Sequence, residues 1–301
     1  MIRSLLYVPA SAERFIAKAH ERGADAIILD LEDAVAPQEK VRARSVLREA
    51  VPSAGRNGAT IFVRINALST GLALDDAEAA CRAGAFGLFV PKTRRAADLQ
   101  TIAEHLDGVE RGRPRERPTV FVPMLEDPGA VLDARAIAAD SPRVFALVTG
   151  SEDVATALGA EPTPEVLRLP KLLVHLAAKA LGLYSFGMLR TVADFEDAAA
   201  VMKSAREARA FGFDGASCIH PRVVPILNTA FVPSAAELDR ARRMVGQFEA
   251  AKSAGRGAFL FEGRMVDEPV VARARAMLAR IQDSGVRRRA AGGAVVTDQT
   301  D

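Results

Sequence analysis

Short apolar runs recur along the chain, and each is followed by a polar-studded stretch with apolar residues three and four apart. The runs are SLLYVP (4–9), AIILD (26–30), TIFVRI (60–65), GLFVP (87–91), VFVPML (120–125), VFALVTG (144–150), LYSFG (183–187) and GASCI (215–219). Runs of this length read as buried strands. The stretches between them, such as SAERFIAKAHERG and PQEKVRARSVLREA, are Ala-rich and carry helical spacing. Strands alternating with helices predict parallel βα units. Eight units in about 220 residues fit a (β/α)8 barrel, which takes roughly 250. A doubly wound open sheet is the alternative, but it has fewer strands as a rule, and no GxGxxG follows any of these runs.

After the eighth run the texture changes. A loop and an amphipathic helix (HPRVVPILNTAFVPSAAELDRARRMVGQFEAAKSAG) lead into a short β-like turn and a further helix (GRGAFLFEGRMVDEPVVARARAMLARIQ). The last stretch, VRRRAAGGAVVTDQTD, has no apolar periodicity. The expectation is an α/β protein: a TIM barrel over residues 1–232, a C-terminal helical lid over 233–283 and a mobile tail over 284–301.

Barrel enzymes carry their chemistry at the C-terminal ends of the strands. In this chain those ends are rich in polar groups. The second run leads into Asp30, Glu32 and Asp33, the third carries Arg64, the fourth ends at Lys92, the fifth at Glu126 and Asp127, and the sixth runs into Glu152 and Asp153. The opposite ends, such as Gly23-Ala24 and Gly84-Ala85, carry little. So many carboxylates at one face call for a hard cation. Mg²⁺ takes one or two carboxylates together with waters and substrate oxygens. Glu126 and Asp153, from adjacent strands, can share such an ion. Arg64 can bind a substrate carboxylate through its fork of donors, or form an ion pair with Asp30, Glu32 or Asp33. Lys92 is either a solvated rim residue or an anion contact.

Composition narrows the partners. The 40 Lys and Arg against 38 Asp and Glu leave a net charge of +2, which gives no case for nucleic-acid binding. Two cysteines without CxxC spacing, Cys81 and Cys218, exclude a disulfide framework and read as packing residues. Of the histidines only His220 lies near a strand end, so a zinc cluster is not expected. No stretch approaches the roughly 20 apolar residues of a membrane span, and MIRSLLYVPASAERF lacks a signal-peptide cleavage site. A cytoplasmic protein is expected.

An ordered set of motifs carries a resemblance: RSLLYVPASAERFIAKA, ILDLEDAV, VRIN, FVPK, MLEDPGAV, GSEDVATALG and DGASCIHPRVVPILNTAFVPS. From Arg3 to about residue 283 the chain resembles the citrate lyase beta-subunit-like group of the HpcH/HpaI aldolase and citrate lyase superfamily, which includes malyl-CoA and citramalyl-CoA lyases. The resemblance implies a barrel with a C-terminal extension, a homotrimer or hexamer, and Mg²⁺ at the positions of Glu126 and Asp153. It implies Arg64 on the oxo-acid end of the substrate, with Glu32 and Asp33 near the metal waters and that Arg. Arg64, Asp153 and Lys92 are then expected to touch substrate. GRMVDEPVVARA resembles a lid motif whose catalytic acid reaches a neighbouring subunit, and Asp267 is the matching residue. Asp267-Glu268-Pro269 is also a good helix start, so a capping role stands beside the catalytic one. Pro9-Ala10 replaces a frequent Pro-Gly, and Leu125-Glu126-Asp127 a frequent Ile-Glu-Thr.

The chemistry implied is cleavage or formation of a 3-hydroxyacyl-CoA, giving acetyl-CoA and a 2-oxo acid. Arg3 and Lys18 are weaker candidates for coenzyme A phosphates. The alternatives are a CoA-independent class II aldolase, a citrate lyase beta subunit acting on an acyl-carrier-protein thioester, and a non-catalytic metabolite-binding protein.

Overall fold

The computed structural model describes residues 1–112 and 117–291, with side chains described through residue 279. Eight parallel strands follow in chain order: β1 (Ser4–Pro9), β2 (Ala26–Asp30), β3 (Thr60–Arg64), β4 (Gly87–Val90), β5 (Val120–Leu125), β6 (Ala146–Thr149), β7 (Tyr184–Phe186) and β8 (Ala216–Cys218). Each pairs with the next from β1 to β7, and β8 returns to lie beside β1. The ring closes between β7 and β8 through one parallel bridge, Phe186–Gly215. There Gly187 N donates to Gly215 O at 2.9 Å. Ser185 N donates to the carboxylate of Asp214 at 2.9 Å, and that carboxylate also pairs with Lys179. The fold is a nearly closed (β/α)8 barrel, not an open sheet.

The strands are mostly apolar because each faces two cores. Alternate residues (Leu5, Ala26, Ile28, Phe62, Phe89, Val122, Met124, Ala146, Val148 and Phe186) fill the barrel. Their neighbours (Leu6, Ile27, Leu29, Val63, Leu88, Leu125 and Leu147) pack outward with the helices. Side chains along a strand alternate with a period of two. Continuing that alternation upward from Leu5, Ile28, Phe62 and Met124 gives Tyr7, Asp30, Arg64 and Glu126. The top layer of the barrel interior is therefore polar by the same register that makes the lower layers apolar. Gly215 lets β8 approach β1, since a Cβ there would lie 2.1 Å from Ile2 O.

Residues 2–231 form one compact unit and, among the described residues, 232–291 form a second. The second unit has a helix, Ala235–Ser253, opened by a capping box between Ser234 and Glu237. A hairpin follows, β9 (Phe259–Phe261) and β10 (Arg264–Val266). Its two turn residues, Glu262 and Gly263, both take positive φ, at 48° and 76°. That is the turn whose twist suits a two-residue hairpin. A last helix spans Glu268–Ala291. Met244, Phe248, Phe261, Val266 and Val271 form this unit's own small core. The last helix takes in the first residues of the segment expected as a tail; the remainder, 292–301, lies outside the described residues. Among the described residues no helix is long and apolar enough to cross a membrane.

Candidate active site

The β2–β4 side of the mouth is built on one guanidinium. Asp30 ends β2 directly opposite Arg64 in register. Arg64 Nε and Nη2 donate to the two oxygens of Asp30 at 2.7 and 2.6 Å. Asp30, only 1% exposed, also accepts the amide of Glu32 at 2.9 Å and so fixes the turn that presents it. Lys40 Nζ holds the same turn through the carbonyls of Leu31 and Glu32, at 3.0 and 2.9 Å. Arg64 Nη1 stands 3.1 Å from Glu32 Oε2 and 3.5 Å from Asp33. The first contact is ionic only, because Glu32 Oε2 is buried and accepts no hydrogen bond. Burial works against the Arg64 charge, but the Asp30 hydrogen bonds and surrounding anions hold the guanidinium above its ordinary pKa. Its plane lies over the Tyr7 ring, 4.9 Å from the centroid. Burial pushes the Glu32 carboxyl up, with Arg64 and Lys92 acting in the opposite sense.

Lys92 joins this side to the next. It is a non-glycine residue at φ 51°, a strained conformation that marks functional positions. That backbone aims its amide at Glu126 Oε2, 2.6 Å away, while its ammonium meets Glu32 Oε1 at 2.8 Å.

The β5–β7 side is built differently. Glu126 follows β5 and is 6% exposed. Asp153 stands in the first turn of the helix Ser151–Leu158, just after β6. Burial raises the Glu126 carboxyl to about 8, and repulsion from Asp153 and Glu32 adds to the shift. Glu126 lies across Gly150: a Cβ there would come within 2.6 Å of Glu126 Cγ and 2.7 Å of Oε1. Asp127 caps the helix Pro128–Leu132 by accepting the Ala130 amide at 3.0 Å. A threonine can serve the same capping role, which explains why Asp is tolerated after the glutamate.

A cavity of about 410 Å³ opens between the two sides, lined by Tyr7, Asp30, Asp33, Arg64, Glu126, Glu152, Asp153 and Lys171 among others. Glu32 and Lys92 stand outside that lining. The structure thus brings six of the seven expected site residues together in the barrel unit. Asp267 belongs to the second unit. Among the described residues its side chain takes no hydrogen bond from the amides of the helix it precedes; Val270 N and Val271 N reach its backbone carbonyl instead, each at 3.1 Å. Arg3 is committed elsewhere. It pairs with Asp25 at 2.6 Å beside the start of β1, at the face opposite the site, which corrects its expected role at coenzyme A phosphates.

The donors fit Mg²⁺. Among the described residues no group of three or more His, Cys, Asp or Glu forms a complete metal cage. Two carboxylates and open space are what Mg²⁺ uses, since it keeps waters and binds substrate oxygens. The mutual repulsion of Glu126 and Asp153, the glycine cradle under Glu126 and the unmatched Glu32 oxygen all suit a hydrated cation.

A profile described as HpcH/HpaI aldolase/citrate lyase matches residues 3–221. The chain belongs to that family. It is therefore a carbon–carbon lyase by family. It is 35% identical to a (3S)-malyl-CoA thioesterase of Cereibacter sphaeroides, over 93% of this chain and 94% of that one. It is 34% identical to the citrate lyase subunit beta of Escherichia coli, over 95% of each. The Mycobacterium tuberculosis protein CitE, solved with magnesium, acetoacetate and coenzyme A, superposes with a TM-score of 0.75 at 32% identity, covering 93% of this chain and 98% of that one.

Proposed function

We propose that the protein cleaves, or in reverse forms, a 3-hydroxyacyl-CoA, giving a 2-oxo acid and acetyl-CoA, with Mg²⁺ held by Glu126 and Asp153. The observation that carries this reading is the pair of repelling carboxylates across one cavity from a fixed guanidinium. Mg²⁺, when bound, supplies Lewis acidity to the substrate carboxylate and its neighbouring oxygen. Arg64, which Asp30 cannot release without leaving a buried charge unpaired, stabilises the negative charge that develops on that oxygen. Glu32 and Asp33 orient Arg64 and accept from water, and Lys92 sets the position of Glu126. The first-turn amides of the helix Ser151–Leu158 offer donors to the substrate carboxylate. Asp267 protonates the thioester enolate in cleavage and takes the proton from acetyl-CoA in condensation. We infer that it does so in the barrel of a neighbouring subunit of a homotrimer or hexamer, in the cytoplasm.

The test is a mass-spectrometric panel of malyl-, citramalyl-, methylmalyl- and citryl-CoA, with Mg²⁺ and with EDTA. The expected products are the oxo acid and acetyl-CoA, or propionyl-CoA from methylmalyl-CoA, all lost with EDTA. Because one relative is named a thioesterase, the product also discriminates: release of free coenzyme A and the intact hydroxy acid overturns the lyase reading. Turnover only on acyl-carrier-protein thioesters, or on hydroxylated oxo acids without coenzyme A, favours the alternatives. For Asp267→Asn, Mg²⁺ binding by calorimetry stays and turnover is lost; normal turnover rejects the assignment.

A further inference from the structure

Lys171 is a buried cation that the reading above does not use. It lies on the helix Pro164–Ala180 and is 4% exposed. It lines the cavity. Its ammonium, with three donors, gives one hydrogen bond to a neutral acceptor, Arg190 O at 3.2 Å. Among the described residues no carboxylate lies within 4.0 Å of it, so it forms no ion pair. Glu152 favours its charge only from farther off, and burial lowers the ammonium to about 8. A buried charge without a counter-ion is costly. Arg64, the other cation in the lining, is bound to Asp30 at 2.6 Å and faces Glu32 and Asp33.

The positions of the two cations matter. Arg64 ends β3, while Lys171 is anchored on the loop that follows β7. In the strand order these are four places apart in a ring of eight, so the two approach the cavity from opposite sides. Glu126 and Asp153 come from β5 and β6, between them. A substrate held by one carboxylate at the metal pair and Arg64 has the Lys171 ammonium across from it, in a lining that also holds Glu152, whose carboxylate is bound to the Thr191 hydroxyl.

We propose that Lys171 is a specificity-determining residue whose ammonium receives a second carboxylate, so that the site prefers a dicarboxylic 2-oxo acid unit over one bearing a methyl or hydrogen in the same place. This rests on the reading above for the orientation of the first carboxylate only. The rival role is a brace, in which Lys171 does no more than pin the loop at Arg190.

The experiment is calorimetric titration of the full-length protein, in Mg²⁺, with oxaloacetate and with pyruvate. The wild-type protein is expected to bind oxaloacetate at least tenfold more tightly. Lys171→Met brings the ratio to within threefold, and Lys171→Arg keeps it above that. Absence of a dicarboxylate preference in the wild type overturns the proposal without any variant. So does a Lys171→Met protein that loses affinity for both acids in equal proportion, which is the result a brace gives. Since acid binding needs no turnover, a protein that shows the preference but cleaves no thioester refutes the lyase reading and leaves this one standing.

Discussion

Around one cavity, the β2–β4 side and the β5–β7 side treat charge in opposite ways. On the first side Arg64 and Lys92 are matched by Asp30, Glu32 and Asp33, and a lysine even covers the carbonyls of the turn. On the second side two carboxylates repel each other and an ammonium has no ion-pair partner. The matched side can hold its geometry with nothing bound. The unmatched side is incomplete by itself, and its deficits, a cation between acids and an anion beside Lys171, describe the ligand. Pairing fixes the group that acts, as it does Arg64; lack of pairing marks the place where something else arrives.

Substitutions can break or sharpen that contrast. The largest effect is expected from Glu126→Gln, which removes a proposed Mg²⁺ donor: kcat/KM falls about a thousandfold, or ~4 kcal/mol, with Mg²⁺ binding lost by calorimetry. Because the same change relieves repulsion, the metal-free protein melts no lower than wild type by differential scanning; a fall of several degrees would break the comparison. Asp30→Asn is the counterpart on the matched side. Removing one partner of a buried pair costs about 3–5 kcal/mol, read from urea unfolding with Mg²⁺ absent. Next is Gly150→Ala, whose methyl displaces Glu126 and weakens Mg²⁺ binding by roughly tenfold to a hundredfold, as supporting residues of metal sites do. The smallest is Lys92→Met. Its side chain is 43% exposed, so its pair with Glu32 is worth only about 0.2–1 kcal/mol and kcat/KM drops a few-fold.

The strands were legible because parallel strands with two covered faces read as unbroken apolar runs. β1, β2 and β5 match their predicted bounds, and the others shift by a residue or two at their ends. Glu126, Asp153 and Arg64 were legible because an ionic residue at the end of such a run stands out. Asp30 was visible only as one of three possible partners of Arg64. Its hold on Arg64 depends on a register between residues 34 apart, which no local pattern carries. Lys171 was missed because the helix Pro164–Ala180 looks like any amphipathic helix of the outer ring. A signal was there: Lys171 sits on the apolar stripe, four residues after Leu167 and three before Val174, both buried. A charge on the buried stripe of a helix marks a place to look for a cavity. Gly150 was equally silent, since its need is a neighbour's side chain and not a positive φ.

The seam at Phe186–Gly215 has a consequence for how the ring breathes. Elsewhere neighbouring strands share two or more registered pairs, but here one bridge, two backbone hydrogen bonds (Gly187 N to Gly215 O and Asp214 N to Ser185 O) and the Asp214 side chain do the closing. Thermal opening begins where the fewest backbone bonds must break. Amide exchange at Ser185 and Gly187 should therefore outpace that at Ile28 and Phe62 in the same barrel. The loop that follows β7, on which Lys171 is anchored, hangs from that seam. A ligand seated against Lys171 is therefore expected to slow amide exchange at Ser185 and Gly187 as well.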